Sequence, residues 1–163
     1  MEAFNAISKW FWVVCIIVTF LNGAVFKFRA RKRIRHTPDL EEGYNKIIKG
    51  FVTWGNLPWI VMGIGCTFGE IPSMWHYFHP QDGNPYVLSF FGSLFLIWIL
   101  GSYWILFRGG AEELVNHPGI FNYDMKSPAI VKLIWIACIF GGIVAVIMMY
   151  TQNIPMPNHI ALR

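Results

Sequence analysis

Residues 87–107 form an unbroken apolar run with no charged side chain. A helix needs roughly 20 mostly apolar residues to cross a hydrocarbon core about 30 Å thick. This run holds thirteen Val, Leu, Ile or Phe residues. Each is worth roughly −0.3 to −0.6 kcal/mol on the insertion scale, about −4 to −8 kcal/mol together. Such a segment inserts unaided, and that decides the class of the chain. Three further runs, at about 7–26, 50–69 and 129–150, meet the same length requirement. The second is the weakest, because Asn56 and Pro58 interrupt it.

Composition agrees. Only 13% of the residues are charged, against about 25% in an ordinary soluble domain. So thin a polar coat does not cover a water-exposed surface. Continuous apolar runs, rather than alternating stretches of about 10 residues, exclude a β-barrel. The expected fold is therefore an all-α integral membrane protein, one domain over residues 1–163. It is a bundle of four transmembrane helices with a short cytoplasmic interfacial helix after the third span.

Orientation follows from Lys and Arg, which are retained on the cytoplasmic side. Eight of the thirteen lie at positions 27–49, and Arg108, Lys126 and Lys132 flank the third loop. The 70–86 loop has none, and the ends of the chain contribute only Lys9 and Arg163. N-terminus, C-terminus and the 70–86 loop are thus expected outside. The charges follow the first apolar run, the reverse of a cleavable signal peptide, so that run is expected to stay as an anchor. Trp10, Trp12, Trp75, Tyr77, Tyr86 and Tyr150 fall at the outer boundary, where amphipathic rings collect. Trp54, Tyr103 and Trp104 fall nearer the inner one. Cys15, Cys66 and Cys138 lie inside spans at no zinc or CxxC spacing, and read as packing residues. No N-glycosylation sequon occurs, which is compatible with the bacterial plasma membrane expected as the location.

Small residues recur at helical spacing in three places: Gly65 with Gly69, Ser89 with Ser93, and Ala137 with Gly141 and Ala145. Each set shares one helix face and permits close backbone approach, either inside the bundle or against another membrane subunit. Asn56 and Pro58 predict a kink. Proline removes a donor and frees the carbonyl near Trp54, and Asn56 is placed to pair with a freed carbonyl or to line a polar pocket. The basic run Arg29, Arg31, Lys32, Arg33 and Arg35 is expected to attract anionic headgroups at roughly 1 kcal/mol per charge. Nucleic acid is rejected as a partner, since Asp39, Glu41 and Glu42 follow at once and no stacking platform is present.

The outer loop offers a metal hypothesis. Ser73 is expected to cap a short helix placing His76 and His79 on one face, with Asp82, Glu70 and His159 as further donors; imidazole with carboxylate suits zinc, copper or iron. The bland alternative is an aromatic interfacial belt closed by an Asp82-Gly83 turn. After the third span, Gly109 and Gly110 break the helix and Ala111 to Asn116 form a short one. Arg108, Glu112, Glu113, His117 and Asp124 lie around it at no catalytic spacing. The spans lack histidine and central ionisable groups, which argues against proton-coupled transport.

The leading expectation is a non-enzymatic accessory or scaffold subunit of a membrane complex, with no cofactor. Anionic lipid, other membrane subunits or further copies are the expected partners. The alternatives are an outer-face metal or haem-linked redox protein and a carrier or channel for a neutral or lipidic solute.

Overall fold

The computed structural model describes residues 7–120 and 125–152, and every regular element among them is helical. Helix α1 spans Phe11–His36. A 3-10 turn at Pro38–Leu40 leads into α2, Glu41–Phe68. The loop at the far end carries 3-10 turns at Met74–Phe78 and Pro80–Asp82. Helix α3, Pro85–Ser102, passes into a π-helical turn at Tyr103–Phe107. The short α4 follows at Gly110–Asn116, and α5 spans Pro128–Thr151. Four of these segments are long and apolar enough to cross a membrane.

The four helices fall where the apolar runs place them, but two extend beyond those runs. Helix α1 continues past residue 26 to His36, and α2 starts at Glu41 rather than near residue 50. Lys, Arg and Glu are good helix formers, so the backbone stays helical where the apolar runs end. The stops are local. Pro38 disfavours helical backbone at the residue before it, and Thr37 is non-helical at φ −142°, ψ 83°. Asn84 and Ser127 cap α3 and α5 by accepting from the Tyr86 and Ala129 N–H groups, each with proline in the first turn. Both arrangements satisfy donors that a helix start leaves orphaned. Gly109 takes the left-handed φ of 74° that starts α4.

Burial concentrates in three clusters. At the histidine-loop end, Met62, Ile71, Tyr77, Val87, Phe90 and Phe91 join α2, the loop and α3. At the opposite, basic end, Ala30, Tyr44, Ile47 and Ile120 join α1, α2 and the segment after α4. Ile105, Ala111 and Val131 join the π turn, α4 and the start of α5. Helices α3 and α5 meet through a reciprocal exchange. The Trp98 indole lies 2.6 Å from where a Cβ on Gly142 would stand, and the Trp135 indole 2.6 Å from that of Gly101. Trp135 Nε1 also donates to Ser102 Oγ at 2.9 Å. Val131 is the one buried residue of α5; Val146 and Met149 pack partly buried against the cluster at the histidine-loop end, and Tyr150 meets the Phe91 ring.

Candidate functional site

The histidine loop was the chemical candidate, and its geometry is that of a self-contained turn. His76 lies inside the Met74–Phe78 3-10 helix, while His79 stands at its C-cap with φ −121° and ψ 60°, where the chain leaves the helix. Ser73 makes no side-chain cap to the backbone; its Oγ lies 3.2 Å from His76 Nδ1. His79 Nδ1 lies 3.2 Å from the Trp75 carbonyl. Asp82 is exposed in the next turn, which Gly83 closes in the left-handed conformation at φ 71°. Among the described residues no three His, Cys, Asp or Glu side chains gather as a metal-holding group; His159 lies outside them. The organiser of the loop is Tyr77. It is buried, donates to the Met62 carbonyl at 3.1 Å and stacks edge-on against Phe90 at 5.2 Å. Burial pushes its phenol well above the ordinary tyrosine range, so it remains a donor.

The small-residue sets divide. Gly65 and Gly69 receive aromatic side chains of the same chain: a Cβ at Gly65 would collide with the Tyr77 hydroxyl, and one at Gly69 with the Tyr86 ring. Ser93 is buried and Ser89 exposed, and each hydroxyl bonds a carbonyl of its own helix, Phe90 and Pro85 respectively. Ala137, Gly141 and Ala145 are all exposed, and a Cβ at Gly141 would meet nothing within 4 Å. Asn56 and Pro58 are both buried in α2. Asn56 Nδ2 donates to the Val52 carbonyl at 2.8 Å rather than to that of Trp54. Its Oδ1 is buried without a partner among the described residues.

The basic end is the most constructed region. Arg29, Arg31, Lys32, Arg33 and Arg35 are exposed on the extension of α1. Beside them, α2 clasps the segment after α4. Tyr44 is fully buried, its hydroxyl donating to the Pro118 carbonyl at 2.7 Å and its ring meeting His117 edge-on at 4.9 Å. His117 Nδ1 lies 2.7 Å from the Glu113 carbonyl, an acceptor, so that nitrogen carries the proton. The His117 ring lies where a Cβ on Gly43 would stand. Two ion pairs tie α4 to its neighbours, Lys46 to Glu113 at 2.9 Å and Lys132 to Glu112 at 3.1 Å. Of the residues expected around α4, Arg108 is exposed and Asp124 lies outside the described residues. Sequence reasoning passed over Tyr44 and Gly43, although Tyr44, Ile47 and Ile48 mark an apolar face among Glu41, Glu42, Lys46 and Lys49.

Glu112 supplies a pH prediction. Its own backbone N–H at the start of α4, then Lys132, hold its carboxyl below the ordinary glutamate range. A folded-state value below the unfolded one contributes stability at higher pH, lost as pH falls through the folded value. Protection factors of α4 amides, with the intrinsic pH dependence of exchange divided out, should therefore fall on acidification across that range, by a small amount because the group is exposed. Glu112→Gln should remove that dependence; an unchanged profile in the variant would refute the assignment. Comparison with known proteins adds no relative to this geometry: no family model, curated protein or solved structure matches the chain.

Proposed function

We propose that this chain is a non-enzymatic accessory or scaffold subunit of a larger complex in a bacterial plasma membrane. In this reading both termini and the histidine loop face outward and the basic end lies in the cytoplasm, as the retention of Lys and Arg on that side requires. The observation that carries the reading is the outward face of α5. Helices in lipid gain little from hydrophobicity when they associate, because acyl chains are as apolar as leucine. They rely on close packing at small residues instead. Ala137, Gly141 and Ala145 offer such a stripe on the exposed side of α5. The adjacent Gly142 is spent on Trp98 inside the chain.

Gly141 therefore gives a clean test. Gly141→Leu introduces a side chain into open space and should leave the isolated chain's thermal unfolding unchanged. Native mass spectrometry of gently extracted membranes should show a larger assembly for the wild type and its loss in the same variant. A single substitution commonly costs about 0.5–3 kcal/mol, which at this face corresponds to roughly twofold to 150-fold in affinity. An intact assembly in the Gly141→Leu variant would remove this face from the interface.

A further inference from the structure

At the basic end, α1 and α2 flank a groove of about 210 Å³. One wall carries Lys27, Arg31 and Arg35, four residues apart and so on one face of α1, spanning about 12 Å along the helix axis at 1.5 Å per residue. The other wall carries Glu41 and Asn45 of α2. Its floor is apolar, with Ala30, Ile34 and Ile48 lining it and the Tyr44 ring beside them. Among the described residues, Lys27, Arg31 and Arg35 belong to no ion pair. Glu41 offsets one of the three charges, leaving two positive charges facing the groove. We infer that the groove between α1 and α2 is a binding site for an anionic phospholipid headgroup with two phosphodiesters.

The argument is one of charge, position and size. Lys27 stands where the apolar part of α1 ends, at headgroup depth once the four apolar helices occupy a bilayer, and Arg31 and Arg35 lie farther from the hydrocarbon. A basic cleft between helices at that level matches the phosphates of a polyanionic lipid. Two phosphodiesters supply the two negative charges that the groove lacks. The apolar floor accepts glycerol and the first methylenes of the acyl chains, which a soluble phosphate does not possess. The volume lies below the roughly 300–1,000 Å³ of pockets for whole organic ligands, as suits a headgroup whose chains remain in the bilayer. A second, wider groove carries Arg29, Lys32, His36 and Gly119 and shares Arg31 and Arg35 with the first. Lys27 belongs to the first groove alone and Lys32 to the second, so the two can be separated.

This inference rests on the membrane reading of the four helices and does not need a protein partner. The test uses the full chain in lipid nanodiscs containing phosphatidylcholine with a few per cent of diphosphatidylglycerol, followed by native mass spectrometry of retained lipid. The wild type should retain diphosphatidylglycerol selectively. Lys27→Gln with Arg31→Gln should lower retention about thirtyfold, the change that corresponds to two charges at about 1 kcal/mol each. The control pair Lys49→Gln with Arg108→Gln removes the same charge outside both grooves and should leave retention near the wild-type level. Equal loss in the two pairs means a diffuse surface potential and overturns the site. Loss on Lys32→Gln without loss on Lys27→Gln moves the lipid to the wider groove and overturns it too. Displacement of the lipid by millimolar pyrophosphate overturns the lipid assignment in favour of a soluble phosphate. Extraction of the chain from its membrane by alkaline carbonate would sink the membrane reading itself, a failure distinct from each of these.

Discussion

Replacing Gly65 with leucine is expected to break the histidine-loop end of the bundle, at a loss of about 3 kcal/mol, the upper range for overpacking a filled site. Any Cβ at this position enters the space of the Tyr77 hydroxyl, and Tyr86 Cβ stands 3.0 Å from it. Neither neighbour retreats easily. Tyr77 is held by its bond to the Met62 carbonyl and by the Phe90 ring. Phe90 in turn stacks against Phe91 and Trp59. The collision therefore spreads through one aromatic cluster. Thermal unfolding in detergent, followed by circular dichroism, measures it. Gly141→Leu makes the same chemical change on an open face and should leave the transition in place. If both variants unfold with the wild type, Tyr77 does not pack into the Gly65 notch as described.

The contrast between those two glycines marks what could be read in the sequence. Spacing places Gly65 with Gly69 and Ala137 with Gly141 on single helix faces, because residues four apart lie one above another. It says nothing of what stands opposite. In α2 the opposing groups are tyrosines of the same chain; in α5 they are absent among the described residues. The same gap hides the exchange of Trp98 and Trp135 for Gly142 and Gly101, since single tryptophans in apolar runs read equally well as lipid-facing. The four long helices were legible because hydrocarbon thickness sets a length that the apolar runs either meet or miss. Their ends at the basic side were not, because charged residues continue a helix as readily as they leave a bilayer. For the histidines, the i and i+3 spacing assumed a helix continuing through both, whereas His79 stands at its C-cap. Asn56 and Pro58 both lie buried within α2. Which carbonyl Asn56 takes depends on its rotamer, and Val52 lies one turn back along its own helix.

The basic end should fail most completely at Tyr44. Tyr44→Ala is expected to destabilise the fold by about 3–5 kcal/mol, the range for deleting a large buried ring. The residue has 0% exposure and supplies both the ring against His117 and the hydroxyl that holds Pro118. Tyr44→Phe keeps the ring and removes one hydrogen bond, so about 1 kcal/mol should be lost. Lys46→Ala removes an ion pair whose lysine is 65% exposed, and exposed pairs contribute about 0–1 kcal/mol. The three variants thus separate packing from charge as the force that docks α4. Tryptophan fluorescence during denaturation would give the global loss, and hydrogen exchange at 110–117 would show whether α4 is released first. A large loss from Lys46→Ala beside a small one from Tyr44→Ala would reverse the assignment. The clasp would then be electrostatic, and raising the ionic strength should loosen it, because salt screens exposed charges. A clasp built on Tyr44 is indifferent to salt. It also fixes the end of α2 that lines the α1–α2 groove, so Tyr44→Ala should weaken lipid retention there without removing a single charge.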